Sequence, residues 1–166
     1  MINMLRIDER LIHGQTAVVW SKVLKISHIM VANDAVAKNK TQQVTMKMAV
    51  PDNLKFICRG VDDAISILND PRADKFDLFI VVQNFKDALK IAQAEKDKIQ
   101  LINVGNYGLL PINQHGNKQE RLATAVQADE HDIEVIRQIA HLGIPFEAQL
   151  TPDSQTKNFK KIYGEG

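Results

Sequence analysis

The chain has a single cysteine, Cys58, among 166 residues. That excludes an internal disulfide framework and any cysteine-cluster metal site, and it fits a reducing cytosol. Charge of one sign is scarce as well: 21 Lys and Arg stand against 20 Asp and Glu, a formal net charge of +1. A balance like that leaves no basic footprint for nucleic acid and no acidic tail, so no nucleic-acid partner is expected. No apolar run approaches the roughly 20 residues that span a bilayer. Met1-Ile2-Asn3-Met4 lacks the basic start and long apolar stretch of a signal peptide. A cytoplasmic, water-soluble protein is the expectation. Several motifs are missing too. Without G-x-x-x-x-G-K-[ST] there is no Walker phosphate loop. Gly105-Asn106-Tyr107-Gly108 lacks the spacing of G-x-G-x-x-G, so a nicotinamide cofactor is unsupported. The five histidines show no H-E-x-x-H or comparable ligand spacing, so no metal is expected. A G-x-S-x-G nucleophile elbow is absent.

What is present is an ordinary globular composition, 45% hydrophobic and 25% charged, enough for one core-bearing domain over residues 1–166. Short apolar runs alternate with amphipathic stretches. The runs are Ile2-Met4-Leu5-Ile7, Ile29-Met30-Val31, Leu54-Phe56-Ile57-Cys58, Leu78 to Val82 and Leu101-Ile102-Val104. Leu78 to Val82 is continuously apolar, as a strand covered on both faces should be. Ala17-Trp20-Leu24, Val61-Ala64-Ile65-Leu68, Phe85-Ala88-Leu89-Ala92 and Ile133-Ile136-Ala140 recur at helical spacing. Asn33-Asp34, Asn84 and Asp129 stand where helix N-caps are wanted, and Gly143-Ile144-Pro145 reads as a helix stop. Strict alternation of strand and helix predicts a doubly wound α/β fold: a mostly parallel sheet of about seven strands, with helices on both faces. After Val104 the pattern changes. Residues 105–120 carry three Gly and one Pro with no helical period, a long connection. The run Leu122 to Val126 is then expected as an antiparallel strand, followed by a helix at about 129–142 and a strand at about 146–150. The polar tail from Thr151 is expected to dock loosely.

One segment carries a chemical signal: Arg6-Ile7-Asp8-Glu9-Arg10-Leu11-Ile12-His13-Gly14-Gln15. It joins the first strand to the first helix, at the carboxyl end of the sheet, where open α/β folds place ligands. A histidine there lies beside unpaired amides and the positive end of a helix dipole. Gly14 lets those amides, with that of Gln15, approach an anion closely. Arg10 offers a forked cation to phosphate oxygens, and Asp8 can accept from the imidazole N–H not used in chemistry. Such a histidine could hold a phosphoryl group without a metal. Two plainer readings stand beside this one: His13 as a hydrogen-bonded turn residue, and Arg10–Asp8 as a structural ion pair. If the sheet order is 3-2-1-4-5, the loop Gln83-Asn84-Phe85 flanks the same crevice. Asn84 there either contacts phosphate or caps its own helix.

Residues 6–15 resemble the signature R-[IV]-D-[DE]-R-L-I-H-G-Q of the IIB component of the mannose/fructose/sorbose family of bacterial sugar phosphotransferase systems. Trp20 with Lys22 is similar to that family's W-[ST]-K. Ile29 to Asp34 with Val36-Ala37 resembles I-[IV]-V-x-[DN]-D-x-V-A. Ala49-Val50-Pro51 and Asn103-Val104-Gly105 fall on its A-x-P and N-V-G-G. The resemblance covers essentially the whole chain and implies the same α/β fold. It implies that His13 is the phosphorylated residue, with Arg10 and Asp8 around its phosphate. It also implies partners: a phosphorylated IIA protein as donor, and membrane IIC and IID subunits that import the sugar. Because such a donor is already a phosphoramidate, no cofactor is expected. Association with the inner face of the membrane would come through those subunits. The sequence departs from the family at Asn106, which replaces the second Gly of N-V-G-G, and in Tyr107 to Pro111. That withdraws support for partner contacts carried over to this loop; the His13 loop is expected to be untouched by it. The rival class is a non-catalytic Rossmann-like module binding a nucleotide or sugar phosphate.

The other candidates read as structural. His28 opens a strand, and His131 and His141 sit near helix ends. His115 lies in a turn, either solvated or a second polar group near the site. Cys58 and Trp20 read as core residues.

Overall fold

A computed structural model describes residues 1–165. The first strand, β1 (Ile2–Ile7), leads through residues 8–15 into α1 (Thr16–Val23), and β2 (His28–Ala32) leads into α2 (Lys40–Met48). Then come β3 (Lys55–Arg59), α3 (Val61–Asn69), β4 (Leu78–Val82), α4 (Phe85–Ala94) and β5 (Ile102–Val104). There the alternation breaks, as the Gly- and Pro-bearing connection predicts. A 3-10 turn at Pro111–Asn113 precedes β6 (Glu120–Ala123) and β7 (Val126–Ala128), and α5 (Glu130–Ala140) follows. The chain continues with β8 (Phe146–Ala148), β9 (Lys157–Asn158) and α6 (Phe159–Gly164).

Seven strands form the main sheet in the order β3-β2-β4-β1-β5-β8-β9. All neighbours are parallel except β9, which runs antiparallel to β8. The expected doubly wound, mostly parallel sheet is therefore the architecture. The expected order 3-2-1-4-5 is not: β4 lies between β2 and β1. One contact separates the two orders. Arg6 of β1 pairs in register with Asn103 of β5, and their side chains bond, which seats β1 against β5.

Each face of the sheet has its own core. On one side α3, α4 and α5 pack Ala64, Leu68, Phe85, Ile91 and Ile136 onto Leu5, Ile7, Ile80 and Val82. On the other, α1 and α2 bring Ala17, Trp20 and Met46 onto Met4, Ile29, Val31 and Val81. β1 hands its chain to one face and its neighbour β4 to the opposite one. The crevice between them at their carboxyl ends is therefore still the switch point, so the exchanged strand order leaves the site where the sequence places it.

The N-caps at Asn84 and Asp129 are as expected. Asn84 Oδ1 accepts the N–H of Asp87 at 2.8 Å, and Asp129 forms a reciprocal box with Asp132. Asn33 and Asp34 differ from expectation. Asn33 caps the short 3-10 turn Val36–Lys38, while Asn39 caps α2. Asp34 reaches across to the N–H of Val61 at 2.9 Å and caps α3, whose own N-cap position is held by Gly60, with no side chain to offer. The run Leu122 to Val126 is not one strand. It turns at Thr124-Ala125, so that β6 and β7 form a separate antiparallel hairpin. The tail does not dock loosely either. Phe159 is fully buried and stacks edge-on to Phe146 and Tyr163, which fixes α6 against β8. One aromatic ring outweighs a polar composition here, because burying it returns roughly 1.5–3 kcal/mol.

Candidate functional site

The loop of residues 8–15 starts from a charged pair that is almost completely out of water. Arg6 and Asp8, at 1% and 0% exposure, meet through Nη2 and Oδ2 at 3.1 Å. Nη1 bonds Asn103 Oδ1 and the carbonyl of Gln149 at 3.2 Å, Nη2 also bonds that of Leu150 at 3.0 Å, Nε has no partner among the described residues, and the guanidinium lies over the Trp20 ring. Buried charges survive only when paired and hydrogen-bonded in this way. Gly105 makes room for it: a Cβ at that position would collide with the guanidinium.

Asp8 is thereby held as a loaded acceptor. Its Oδ1 takes the backbone N–H of Arg10 at 3.0 Å, and its Oδ2 takes Nδ2 of Asn106 at 3.2 Å. The same Oδ2 faces Nε2 of His13 at 3.5 Å. Burial alone raises this carboxyl. The hydrogen bond from His13, the charge of Arg6 and the Arg10 amide outweigh that, and Asp8 lies below the ordinary carboxylate range. The ion pair expected as an alternative between Arg10 and Asp8 is thus replaced by Arg6–Asp8, with Arg10 reaching Asp8 through its backbone only. The Arg10 side chain is exposed and has no hydrogen bond or ion pair among the described residues.

His13 is partly exposed, and its Nε2 also lies 3.4 Å from Thr16 Oγ1. With Nε2 turned to Asp8 and Thr16, Nδ1 makes no hydrogen bond among the described residues. Gly14 follows with φ +51°, the left-handed conformation that glycine adopts without strain, and nothing lies within 4 Å of where its Cβ would be. Gln15 is the N-cap residue of α1 but its side chain makes no hydrogen bond to the helix amides, and of the first turn the Thr16 N–H donates to the His13 carbonyl at 3.1 Å. Leu11 also adopts a positive φ, 57°, while its side chain is buried against Trp20's face of the sheet. A non-glycine residue held there stores local strain of the kind found at functional loops. Asn84 stands across the crevice with Oδ1 committed to its helix cap, which leaves only its Nδ2 to meet a phosphate oxygen.

Two contributors escape the sequence reading. Asn106, the departure from the family pattern, bonds Asp8, and its carbonyl accepts the N–H of Glu9 at 2.9 Å. The His13 loop is therefore not untouched by that departure. Glu9 is buried, and its carboxylate accepts the N–H groups of Gly108, Leu109 and Leu110 together with Nδ2 of Asn113. An acidic residue after a strand gives no hint of N–H donors a hundred positions away.

The remaining candidates lie elsewhere. The His28 ring stacks on Phe76, with Nδ1 at 2.8 Å from Ser27 Oγ. His115, His131 and His141 are exposed. Cys58 is buried, which pushes its thiol up. A cleft of about 470 Å³ lies at the carboxyl ends of β5 and β8, lined by Gly105, Arg121, Thr124, Gln149, Ser154 and others, and His13 is not in its wall. A histidine that exchanges a phosphoryl group with another protein needs an open surface rather than a pocket.

Residues 2–166 match the family described as the PTS system sorbose subfamily IIB component. A probable phosphotransferase enzyme IIB component of Streptococcus pyogenes serotype M6 is 47% identical over 108 residues, which span 65% of this chain and 66% of that one. The sorbose-specific EIIB component of Klebsiella pneumoniae is 29% identical over 157 residues, 95% and 92% of the two chains. The crystal structure of the IIBSor domain of the K. pneumoniae sorbose permease superposes with a TM-score of 0.85 at 26% identity, covering 97% and 94% of the chains. This decides against the rival reading as a non-catalytic binding module. From the signature loop, the sheet and these matches together, the chain belongs to the sorbose-subfamily IIB components, the phosphoryl-transfer component of a sugar phosphotransferase system.

Proposed function

We propose that His13 accepts the phosphoryl group from a phosphohistidine on a partner IIA protein and gives it to a sugar carried by membrane IIC and IID subunits. One observation carries this reading: Nε2 of His13 faces a buried, ionised carboxylate, Asp8, at 3.5 Å. With the proton kept on Nε2, the lone pair sits on Nδ1. Nδ1 attacks the donor's phosphorus. A new N–P bond forms as the donor's N–P bond breaks, and the donor imidazole leaves with the electron pair. The His13 ring, still protonated on Nε2, then carries positive charge, which Asp8 balances. In the second step a sugar hydroxyl attacks the phosphorus and gives up its proton to water. The His13 N–P bond breaks, and the neutral imidazole returns.

The protein's part is positioning and charge stabilisation. The amides around Gly14 and Gln15, the first turn of α1 and the Arg10 guanidinium receive the phosphate oxygens, and Nδ2 of Asn84 lies at the far edge of the crevice. Arg6 acts one step back, holding Asp8. No helix among the described residues is long and apolar enough to cross a membrane. The reading places the protein in the cytoplasm, attached to the inner face of the membrane through the transporter subunits. The test is transfer of labelled phosphate from phosphoenolpyruvate through the general carrier proteins and IIA. Wild type takes up label, and His13→Ala takes up none while melting like wild type. Label on the alanine variant at the wild-type level refutes the assignment.

A further inference from the structure

Beside the His13 loop the chain exposes two large apolar side chains, Leu109 at 40% and Ile112 at 57%. Single exposed apolar residues are common and need no explanation. These two differ in how their segment is held. The buried Glu9 carboxylate accepts the N–H groups of Gly108 at 2.9 Å and of Leu109 and Leu110 at 3.0 Å, and Nδ2 of Asn113 at 3.1 Å. Asn113 Nδ2 also donates to the carbonyl of Gln83, and Gln83 Nε2 donates to that of Glu9. Gly108, at φ +82°, lies so close to the Gln127 carbonyl that any Cβ would collide with it. A stretch of loop is thus clamped by a buried anion to the residue between Asp8 and Arg10. Its two apolar side chains are left facing water.

Geometry limits what can cover that surface. A donor whose phosphorus comes within bonding distance of His13 must sit on residues 10–15. Even a small transient complex buries about 600 Å² on each partner, more than half a dozen loop residues present. The contact therefore extends to neighbouring segments on the same end of the sheet, and of these the segment 106–113, held by the Glu9 clamp, carries the exposed apolar side chains. A loop already rigid loses little conformational freedom on docking. Exposed Arg10 beside it supplies a charged rim to an apolar centre, the usual division of a protein interface.

We infer that Leu109 and Ile112 are the apolar anchors on which the phosphohistidine-bearing donor protein docks, with Glu9 fixing their position. The inference rests on the reading of His13 as acceptor. Its test compares wild type with a Leu109→Ser, Ile112→Ser double variant using two phosphoryl donors. One is phosphorylated IIA; the other is phosphoramidate, a small molecule that needs no docking surface. The KM for IIA should rise by roughly tenfold or more, with the melting temperature and the labelling of His13 by phosphoramidate unchanged. An unchanged KM overturns the inference. So does an equal loss with phosphoramidate, which would mean that the patch acts on His13 itself. Normal uptake from IIA with impaired passage to sugar in membrane vesicles also overturns it, by assigning the patch to the acceptor subunits. A wild-type protein that neither donor labels at His13 removes the acceptor reading and this inference with it.

Discussion

Substituting Gly105 by Ala adds one methyl group in the least forgiving place of the site. The added Cβ would stand 2.5 Å from Cζ of Arg6, closer still to Nη2, and 2.9 Å from Asp8 Oδ2. Real Cβ atoms essentially never approach other heavy atoms below 3.0 Å, so the guanidinium must move. It cannot move freely, because it is 1% exposed and bonded to Asn103, Gln149, Leu150 and Asp8. Overpacking costs about 1–3 kcal/mol, and a lost hydrogen bond to a charged group costs about 1.5–3 kcal/mol. One of each gives a destabilisation of about 2.5–6 kcal/mol. The backbone adds no strain of its own. Gly105 is not in the left-handed region, and at such a position Gly→Ala ordinarily stabilises by about 0.4–1 kcal/mol through the unfolded chain. The expected sign is therefore opposite to the generic one. Urea unfolding with an unchanged slope should show a lower midpoint, and phosphoryl uptake should slow because Asp8 loses its fixed partner. A variant within about 1 kcal/mol of wild type, or more stable, refutes the account of Arg6 as a packed, positioned ion.

Other perturbations separate stability from chemistry. Asp8 titrates below its unfolded value, so its contribution to stability is complete above about pH 4 and disappears as pH falls through the folded value. The stability gap between wild type and Asp8→Asn should stay constant from neutral pH to about pH 4 and narrow below it; chemical denaturation across that range checks the sign, and a widening gap contradicts it. Gly14→Val has open space for its side chain but a left-handed backbone, a strain of about 1–3 kcal/mol. It should impair phosphoryl uptake far more than it lowers the melting temperature if, as proposed, its amide receives a phosphate oxygen. Leu78→Ala in buried β4 should do the reverse, costing about 2–5 kcal/mol while the folded fraction still takes up phosphate. Measuring both quantities on both variants decides it. Arg10→Lys keeps the charge and loses the fork. Single-turnover transfer should slow by roughly tenfold, one charged hydrogen bond's worth, with the melting curve unchanged.

The alternating pattern of apolar run and amphipathic stretch carries the architecture because each strand and helix declares its own period. Leu78 to Val82 is recognisable as a central strand from its composition, and Asn84 and Asp129 as caps from their place after apolar runs. The ten residues from Arg6 to Gln15 contain the proposed acceptor loop because the groups assigned to it are local: backbone amides, a glycine and the side chains of near neighbours. What stays hidden is what depends on distant partners. The slot of β4 between β2 and β1 depends on a side-chain bond from Arg6 to Asn103, ninety-seven positions away. The Glu9 clamp closes over a similar span, and Asp34 caps a helix that starts twenty-seven residues later. The tail misleads because its mean polarity conceals a single anchoring ring, Phe159. The Leu122 to Val126 run misleads because Thr124 carries no strong turn signal.

The central claim is that His13 accepts the phosphoryl group on Nδ1 while Nε2 stays turned to Asp8. Histidine labelled with ¹⁵N, phosphorylated by IIA and followed by ³¹P and ¹⁵N NMR, tests it directly. The account predicts one acid-labile phosphohistidine, mapped to His13, with phosphorus coupled to Nδ1. Phosphorus coupled to Nε2, or a label mapped to His28, His115, His131 or His141, contradicts it.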